Sequence, residues 1–470
     1  MMNYIFDTLD TFVTYLEGLS ISSILNTYWF LFFIEFPRYY LAEILVTLYR
    51  CATWKSIVRA DEQATVSLRK DNPLVSILVP GKNEGEHIYA LLKSLQEQTY
   101  KNFEIIIVDD GSDDTTPQIY TDLERRGLIS RYLRLNVRGG KASAANFGAY
   151  YARGKYVVHL DADSSLDRDA IEKILLPFYL DPNIKAVGGC VKVRNDKDTI
   201  CTSLQALEYL KTIMVGRTVT STLGIYHIIS GAFGAFDTKV LRQIGYWDIG
   251  PGLDGDITQK IRKAGWKVHF AGNAVCMTSV PTSWVNLFKQ RLRWSKSLVR
   301  FRLRKHRDIL LPNRNFSTLN FLSNLESIVY DSVLNYVWLI YIINLVLTQN
   351  NHFFEVVFLG FFIRYCFSLI AFGIVMIVTE RRREELYLFA YLPLVSLYNG
   401  YYLRLARLWA HTSELFFFTS YRDPWNPRKS SVWAQLERAW GETQRYDEKN
   451  HDGEKQTKRE EKIDKTTNDR

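Results

Sequence analysis

The chain has 470 residues and a formal net charge of +9 at neutral pH, with 47% hydrophobic and 14% aromatic residues. That length allows one large domain or two or three smaller ones. Its five cysteines (51, 190, 201, 276 and 366) lie far apart with no CxxC, which offers neither a zinc site nor a disulfide framework. The basic residues cluster beside apolar segments, at 291–306 and 381–383. Such charge suits an anionic inner-leaflet surface and argues against nucleic acid as a partner.

In chain order, residues 1–20 are mildly acidic and amphipathic and lack the basic start of a signal peptide. Residues 21–49 form a long aromatic-rich apolar stretch interrupted by Glu35, Pro37 and Arg38. A bilayer span needs about 20 residues, so one span kinked at Pro37 is expected, with a buried soluble helix as the competing reading. Arg50, Lys55 and Arg59 follow it, which puts the next segment in the cytoplasm by the positive-inside rule. From about 74 to 280, short apolar strands alternate with polar helical segments: 75–80, 103–110, 132–136, 156–163 and 184–189. This βαβ rhythm predicts a mostly parallel sheet covered by helices on both faces.

Residues 283–306 carry apolar and aromatic side chains at helical spacing among many cations, as in a helix lying on a membrane surface. Two apolar segments, 327–347 and 354–378, read as a transmembrane hairpin, and the loop 379–385 as cytoplasmic. In the apolar segment 386–419, Arg404 and Arg407 fall near the middle. Charges at that depth must face protein or water, and spanning, re-entrant and interfacial placements all stay open. The tail from about 444 is rich in Lys, Glu and Asp and is expected to be disordered. The expected divisions are an N-terminal membrane segment (1–51), a catalytic domain (52–280), interfacial helices (281–320), a C-terminal transmembrane region (321–420) and a charged tail (421–470).

Candidate chemistry sits at the ends of the expected strands, where ligands bind in open α/β sheets. After the run Tyr156–Leu160 come Asp161 and Asp163. Carboxylates at i and i+2 on a turn can both face Mg²⁺ or Mn²⁺, which takes its other ligands from phosphate and water. Capping of the next helix by Ser164, Ser165 or Asp167 is the competing reading. Asp109 and Asp110 precede Gly111, either to accept from a uracil imide or ribose hydroxyl or as an ordinary Asp-Gly turn. Lys141 follows a glycine pair and opens a small-residue helix, which suits a diphosphate or simply a solvated basic loop. Asp254 and Asp256 offer a general base or an N-cap. Trp294 can face a sugar ring or anchor a helix at the interface.

The order of these pieces carries more than any one of them. VDDGS (108–112), then a GGK loop (139–141), DAD (161–163), the acid pair Asp254/Asp256 and Gln290-Arg291-Leu292-Arg293-Trp294 resemble the processive inverting family-two glycosyltransferases. That group includes the cellulose, chitin, hyaluronan and poly-N-acetylglucosamine synthases. The resemblance spans roughly residues 74–300, and QxxRW just before apolar helices is its most specific element.

The resemblance implies a GT-A (Rossmann-like) cytosolic α/β domain with a mixed, mostly parallel sheet, flanked by transmembrane and interfacial helices. It implies a UDP-sugar donor and Mg²⁺ or Mn²⁺. It assigns uridine contacts to Asp109, Asp110 and the Lys141 loop, and metal and diphosphate to Asp161 and Asp163. Asp254 matches the acceptor-deprotonating base, while Gln290, Arg293 and Trp294 match the element that holds donor diphosphate and acceptor sugar. Residues 230–234 resemble a short helix near the acceptor end. Leu253 stands where the family usually has Glu, so the base lies between Asp254 and Asp256.

The implied activity is β-linked polymer synthesis from UDP-glucose or UDP-N-acetylglucosamine by a multi-pass inner-membrane enzyme with a cytoplasmic catalytic domain. The polymer is exported through the enzyme's own helices, with accessory export subunits as further partners. Transfer of one sugar to a lipid is the alternative. A catalytically dead receptor for a nucleotide sugar or cyclic dinucleotide is disfavoured by the full acid set and by the lack of an RxxxR module in the tail.

Overall fold

A computed structural model describes residues 12–248, 252–312, 317–349 and 352–422. The charged tail expected to be disordered, and most of the amphipathic start, lie outside the described residues.

The centre is an eight-stranded sheet: β1 (Val75–Gly81), β2 (Phe103–Asp109), β3 (Arg131–Arg134), β4 (Tyr156–Leu160), β5 (Ser165–Leu166), β6 (Ile184–Val193), β7 (Phe233–Asp237) and β8 (Lys267–Thr278). Its spatial order is β3-β2-β1-β4-β7-β6-β8-β5. The pairs β1–β2, β1–β4, β2–β3 and β6–β8 are parallel, and β7 runs antiparallel between β4 and β6. This is the mixed, GT-A-like sheet that the resemblance implies. Alternate residues of β1 and β2 feed opposite faces: Leu78, Ile106 and Val108 join one core, while Ile77, Val79, Ile105 and Ile107 join the other. Both faces are covered, so these strands read as unbroken apolar runs.

Connection order reverses at β1, whose neighbours are β2 on one side and β4 on the other. The crevice at that switch point is where an open α/β sheet binds its ligand. Three helices carry the candidate side chains, α1 (Lys141–Tyr151), α3 (Leu253–Lys263) and α4 (Trp284–Leu298), and α2 (Ile200–Glu208) pairs with α4 through Glu208.

Two features depart from the sequence reading. Residues 230–234, expected as a short helix, are a turn leading into β7, because Phe233–Asp237 supplies the antiparallel strand that completes the sheet. β7 and β8 were not anticipated. Gly234 and Ala235 dilute the strand signal of β7, and β8 is broken by a register irregularity near Gly272, between Ala271 and Val275.

Among the described residues, two helices are long and apolar enough to cross a membrane: α5 (Thr318–Thr348) and α6 (Phe353–Val378). The expected N-terminal span does not reach that measure. Residues 21–52 are helical in short pieces that widen into π turns on either side of Pro37 and carry the buried acids Glu35 and Glu43. Glu35 accepts from Arg364 on α6 (3.0 Å) and from Arg404, at the start of α7 (Leu403–Phe417). The mid-segment charge at Arg404 therefore faces protein. The loop after α6 docks on the sheet domain through Lys192–Glu385 (2.6 Å) and Arg381–Asp167.

Candidate active site

β2 ends on Asp109, in register with Gly81 of β1 and Arg134 of β3. Its carboxylate is wholly buried, accepts from the Ser112 amide (2.7 Å) and the Tyr132 hydroxyl (3.1 Å), and lies 3.5 Å from Arg134 Nε. Asp109 thus fixes the loop that follows it. Asp110 reaches the other way and accepts from the amides of Gly139 (2.7 Å) and Gly140 (2.9 Å). Burial pushes Asp110 up to about 6, against the lowering effect of those two amides. Gly140 has φ +88°, a conformation that L side chains rarely adopt, and it turns the chain into α1 at Lys141.

Lys141 forms an ion pair with Asp161, which lies just beyond the end of β4. Burial would lower the Lys141 ammonium, but Asp161, Asp254 and Asp163 outweigh it and raise it. Asp163 is raised by burial and by its neighbour Asp161, and receives a long contact from the Thr278 hydroxyl (3.4 Å). A third acid, Glu84, stands in the loop after β1. Burial, then Asp163 and Asp161, push it up to about 7. Sequence reading missed Glu84. Its signal was an acid three residues past a strand end at the same edge of the sheet.

Among the described residues, no group of three or more His, Cys, Asp and Glu could by itself hold a metal ion. What Asp161 and Asp163 offer is a pair of hard carboxylates with no nitrogen or sulfur donor. That set fits Mg²⁺ or Mn²⁺ only if other oxygen ligands complete the shell, as a diphosphate and water would.

α3 carries both acids of the Leu253-Asp254-Gly255-Asp256 run but sends them to different places. Asp254 lies against Gly231, where an added Cβ would stand 2.4 Å from its Oδ1. Burial raises Asp254, with Lys141 acting against it. Asp256 is buried in contact with Lys305 Nζ (2.6 Å) and His306 Nε2 (2.6 Å). The structure therefore brings Asp254 toward Lys141 and Asp161, and commits Asp256 to the chain beyond α4.

α4 begins at the N-cap Ser283, whose hydroxyl accepts from the Asn286 amide (3.3 Å). Gln290, Arg293 and Trp294 all lie on it. Trp294 is 41% exposed, and Gln290 buries its side-chain oxygen without a partner. Ser297 and Phe301, just beyond, pack on Gly252 and Gly255 of the α3 start, so QxxRW is anchored to the helix that carries Asp254. Sequence reading also passed over Arg291, which is buried and paired with Glu208 of α2 (2.9 Å). It missed His159 of β4 as well, a buried imidazole whose Nδ1 lies 2.6 Å from the Gly231 carbonyl. Burial, with Lys141 nearby, lowers His159 to about 4.

Comparison with known proteins bears on this site. Residues 76–245 match the family model described as Glycosyl transferase family 2. The chain is 33% identical over 229 residues to a poly-beta-1,6-N-acetyl-D-glucosamine synthase from Staphylococcus epidermidis, covering 47% of this chain and 54% of that protein. A Staphylococcus aureus protein of the same name is 33% identical over 224 residues, with the same shares covered. The chain thus spans about half the length of the curated relatives it matches. A mannosyltransferase from Pyrobaculum calidifontis, solved with GDP-Man and Mn²⁺, superposes with a TM-score of 0.45 at 22% identity, over 77% of this chain and 99% of that one. The family match ends at residue 245, before Asp254 and QxxRW, so the second half of the site rests on geometry. Over residues 76–245 the chain is thus similar to a family-two glycosyltransferase domain.

Proposed function

We propose that this chain is a membrane-embedded polysaccharide synthase that adds sugar from a UDP-sugar to a growing β-linked chain with inversion. The observation that carries the reading is the convergence of Asp161, Lys141 and Asp254 at the sheet's switch point. A leaving-group cation and a candidate base thereby stand close enough to act on one another. The relatives named as poly-β-1,6-N-acetylglucosamine synthases favour UDP-N-acetylglucosamine as the donor.

In this reading Asp254 takes the proton from the acceptor hydroxyl, and the freed oxygen attacks the donor's anomeric carbon from the face opposite UDP. The C–O bond to the diphosphate breaks with its electron pair going to UDP. Negative charge growing there is met by Lys141 and by Arg293, whose guanidinium can bind phosphate bidentately. A divalent cation held by Asp161 and Asp163 would supply further charge neutralisation at the diphosphate. Asp109 and Asp110 hold the two loops that would enclose uridine, and Trp294 offers an exposed ring to an acceptor sugar. The apolar helices α5 and α6 support insertion in the bilayer with the sheet domain on the cytoplasmic side. The bundle they form with residues 21–52 and α7 is the exit for polymer in this proposal.

The test is a donor panel on detergent-purified protein with Mg²⁺ or Mn²⁺, following UDP release and sizing the product. A long polymer from one UDP-sugar supports the synthase. UDP release with a lipid-sized product overturns processivity and leaves single-sugar transfer. In the same assay Asp254→Asn is expected to abolish transfer while UDP binding persists. Unchanged turnover would remove Asp254 from the role of base.

A further inference from the structure

β4 and β7 pair from Leu160–Phe233 through His159–Gly234 onward, so the turn at Ser230–Ala232 lies just outside their ladder. The Gly231 carbonyl is instead met by a side chain: His159 Nδ1 lies 2.6 Å from it, inside the domain. A carbonyl can only accept, so Nδ1 carries the proton and Nε2 is left unprotonated, buried and without a partner. The ring is held from one side by Trp247, with centroids 5.5 Å apart. On the far side of Gly231 the Asp254 carboxylate packs against it, with no room for a side chain between them. Gly231 is therefore held between His159, at its carbonyl, and the Asp254 carboxylate, which packs at its Cα. Two residues beyond His159, just past the end of the same strand, stands Asp161.

We propose that His159 is a positioning residue for the transfer step: by holding the Gly231 carbonyl it fixes the glycine against which the Asp254 carboxylate packs, and so sets the base relative to Asp161. This rests on the synthase reading of the same site. An imidazole that keeps one nitrogen unpartnered in the interior costs stability that an apolar residue would not, which is the sign of a group retained for its single hydrogen bond.

The test compares His159→Leu, which removes the donor, with His159→Asn, whose amide nitrogen falls close to the place of Nδ1. For His159→Leu, kcat is expected to fall by about 10²-fold, the size of a misplaced general base. UDP affinity is expected to stay within about twofold, because Lys141, Asp161 and the uridine loops are untouched. The acid limb of the kcat profile is expected to move as the Asp254 carboxylate leaves its buried place against Gly231. His159→Asn is expected to recover most of kcat and return the limb. Equal kcat in wild type and His159→Leu, or parallel loss of kcat and UDP affinity in both variants, would overturn the proposal.

If His159→Leu does not fold, His159→Gln takes its place, with its amide nitrogen nearer the Nε2 position. Equal kcat in the Asn and Gln variants would then overturn the idea. A readout free of turnover keeps this separate from the synthase reading. The ¹⁵N spectra of histidine-labelled wild type minus His159→Asn should show an Nδ1–H tautomer, and an Nε2–H tautomer would refute the hydrogen bond even if polymer is made. A wild type that turns over no UDP-sugar refutes the synthase instead.

Discussion

Arg291 donates to Glu208 at 2.9 Å across the buried contact between α4 and α2. Glu208 also accepts from the Tyr398 hydroxyl at 2.6 Å, so one carboxylate gathers the QxxRW helix, the sheet domain and the C-terminal helices. The Arg291 guanidinium lies 4.5 Å from the centroid of the Trp294 ring, giving that exposed ring a charged platform. Replacing Arg291 with Met leaves Glu208 buried with half its partners. The expected cost is about 3–5 kcal/mol, the usual price of breaking one side of a buried ion pair. Chemical denaturation of the purified protein reads it. Arg291→Lys is expected to lose less, since an ammonium keeps the charge while giving up the stacking.

Asp110 makes stability depend on pH in a defined direction. Burial lifts its carboxyl from 3.8 to about 6 in the folded protein. Below about pH 4 it is protonated in both states and its contribution is fully present. As pH rises toward 6 the unfolded carboxyl ionises first, so stability is lost across that window, by on the order of 3 kcal/mol in total. Asp110→Asn cannot titrate. Subtracting its unfolding free energy from that of wild type between pH 4 and 7 should give a curve falling with pH and flat above about 6. A flat difference across the whole window would mean the carboxyl is not raised.

Much of this site was legible because its acids lie at strand ends, and strand ends are marked by period and polarity changes. The strand Tyr156–Leu160 and the loop bearing Asp161 and Asp163 follow from an apolar run that stops at two carboxylates. Long-range pairing was not legible in the same way. Nothing local separates Asp254 from Asp256, two residues apart at the start of one helix. Only the fold shows that Asp256 is held by Lys305 and His306 while Asp254 lies against Gly231. β7 was hidden for a related reason: Gly234 looks like a turn residue, yet it pairs with both His159 and Gly188 in mid-sheet. Arg291 and Arg293 are both cations inside one motif, and only the fold shows that Arg291 pairs with Glu208, 83 residues upstream.

Gly231→Ala tests the contact that sets Asp254. The added methyl would stand 2.4 Å from Oδ1, too close for any relaxed contact, so the carboxylate must turn away or the turn must shift. A loss of about 10²-fold in kcat is expected from the displaced base, with UDP affinity close to that of wild type. Isothermal titration with UDP alongside the turnover assay separates the two quantities. Loss of UDP binding in step with turnover would show that the turn supports the donor side instead.

Asp163 provides the last test, because its role depends on an ion that Asp161 and Asp163 cannot hold alone. Burial and the neighbouring Asp161 raise Asp163's cost of ionisation, and Lys141 offsets only part of that. A divalent cation and a diphosphate arriving together relieve the repulsion, so UDP binding and metal binding should be coupled. Chelation of divalent ions is expected to weaken UDP binding to wild type by about tenfold or more, the worth of a charge-assisted contact. In Asp163→Ala the UDP affinity should be low both with and without Mn²⁺, while Asp163→Asn should keep a residue of the dependence through its side-chain oxygen. Equal UDP affinity of wild type with and without Mn²⁺ would remove the metal from donor binding. Lys141 and Arg293 would then be left as the groups that meet the diphosphate charge.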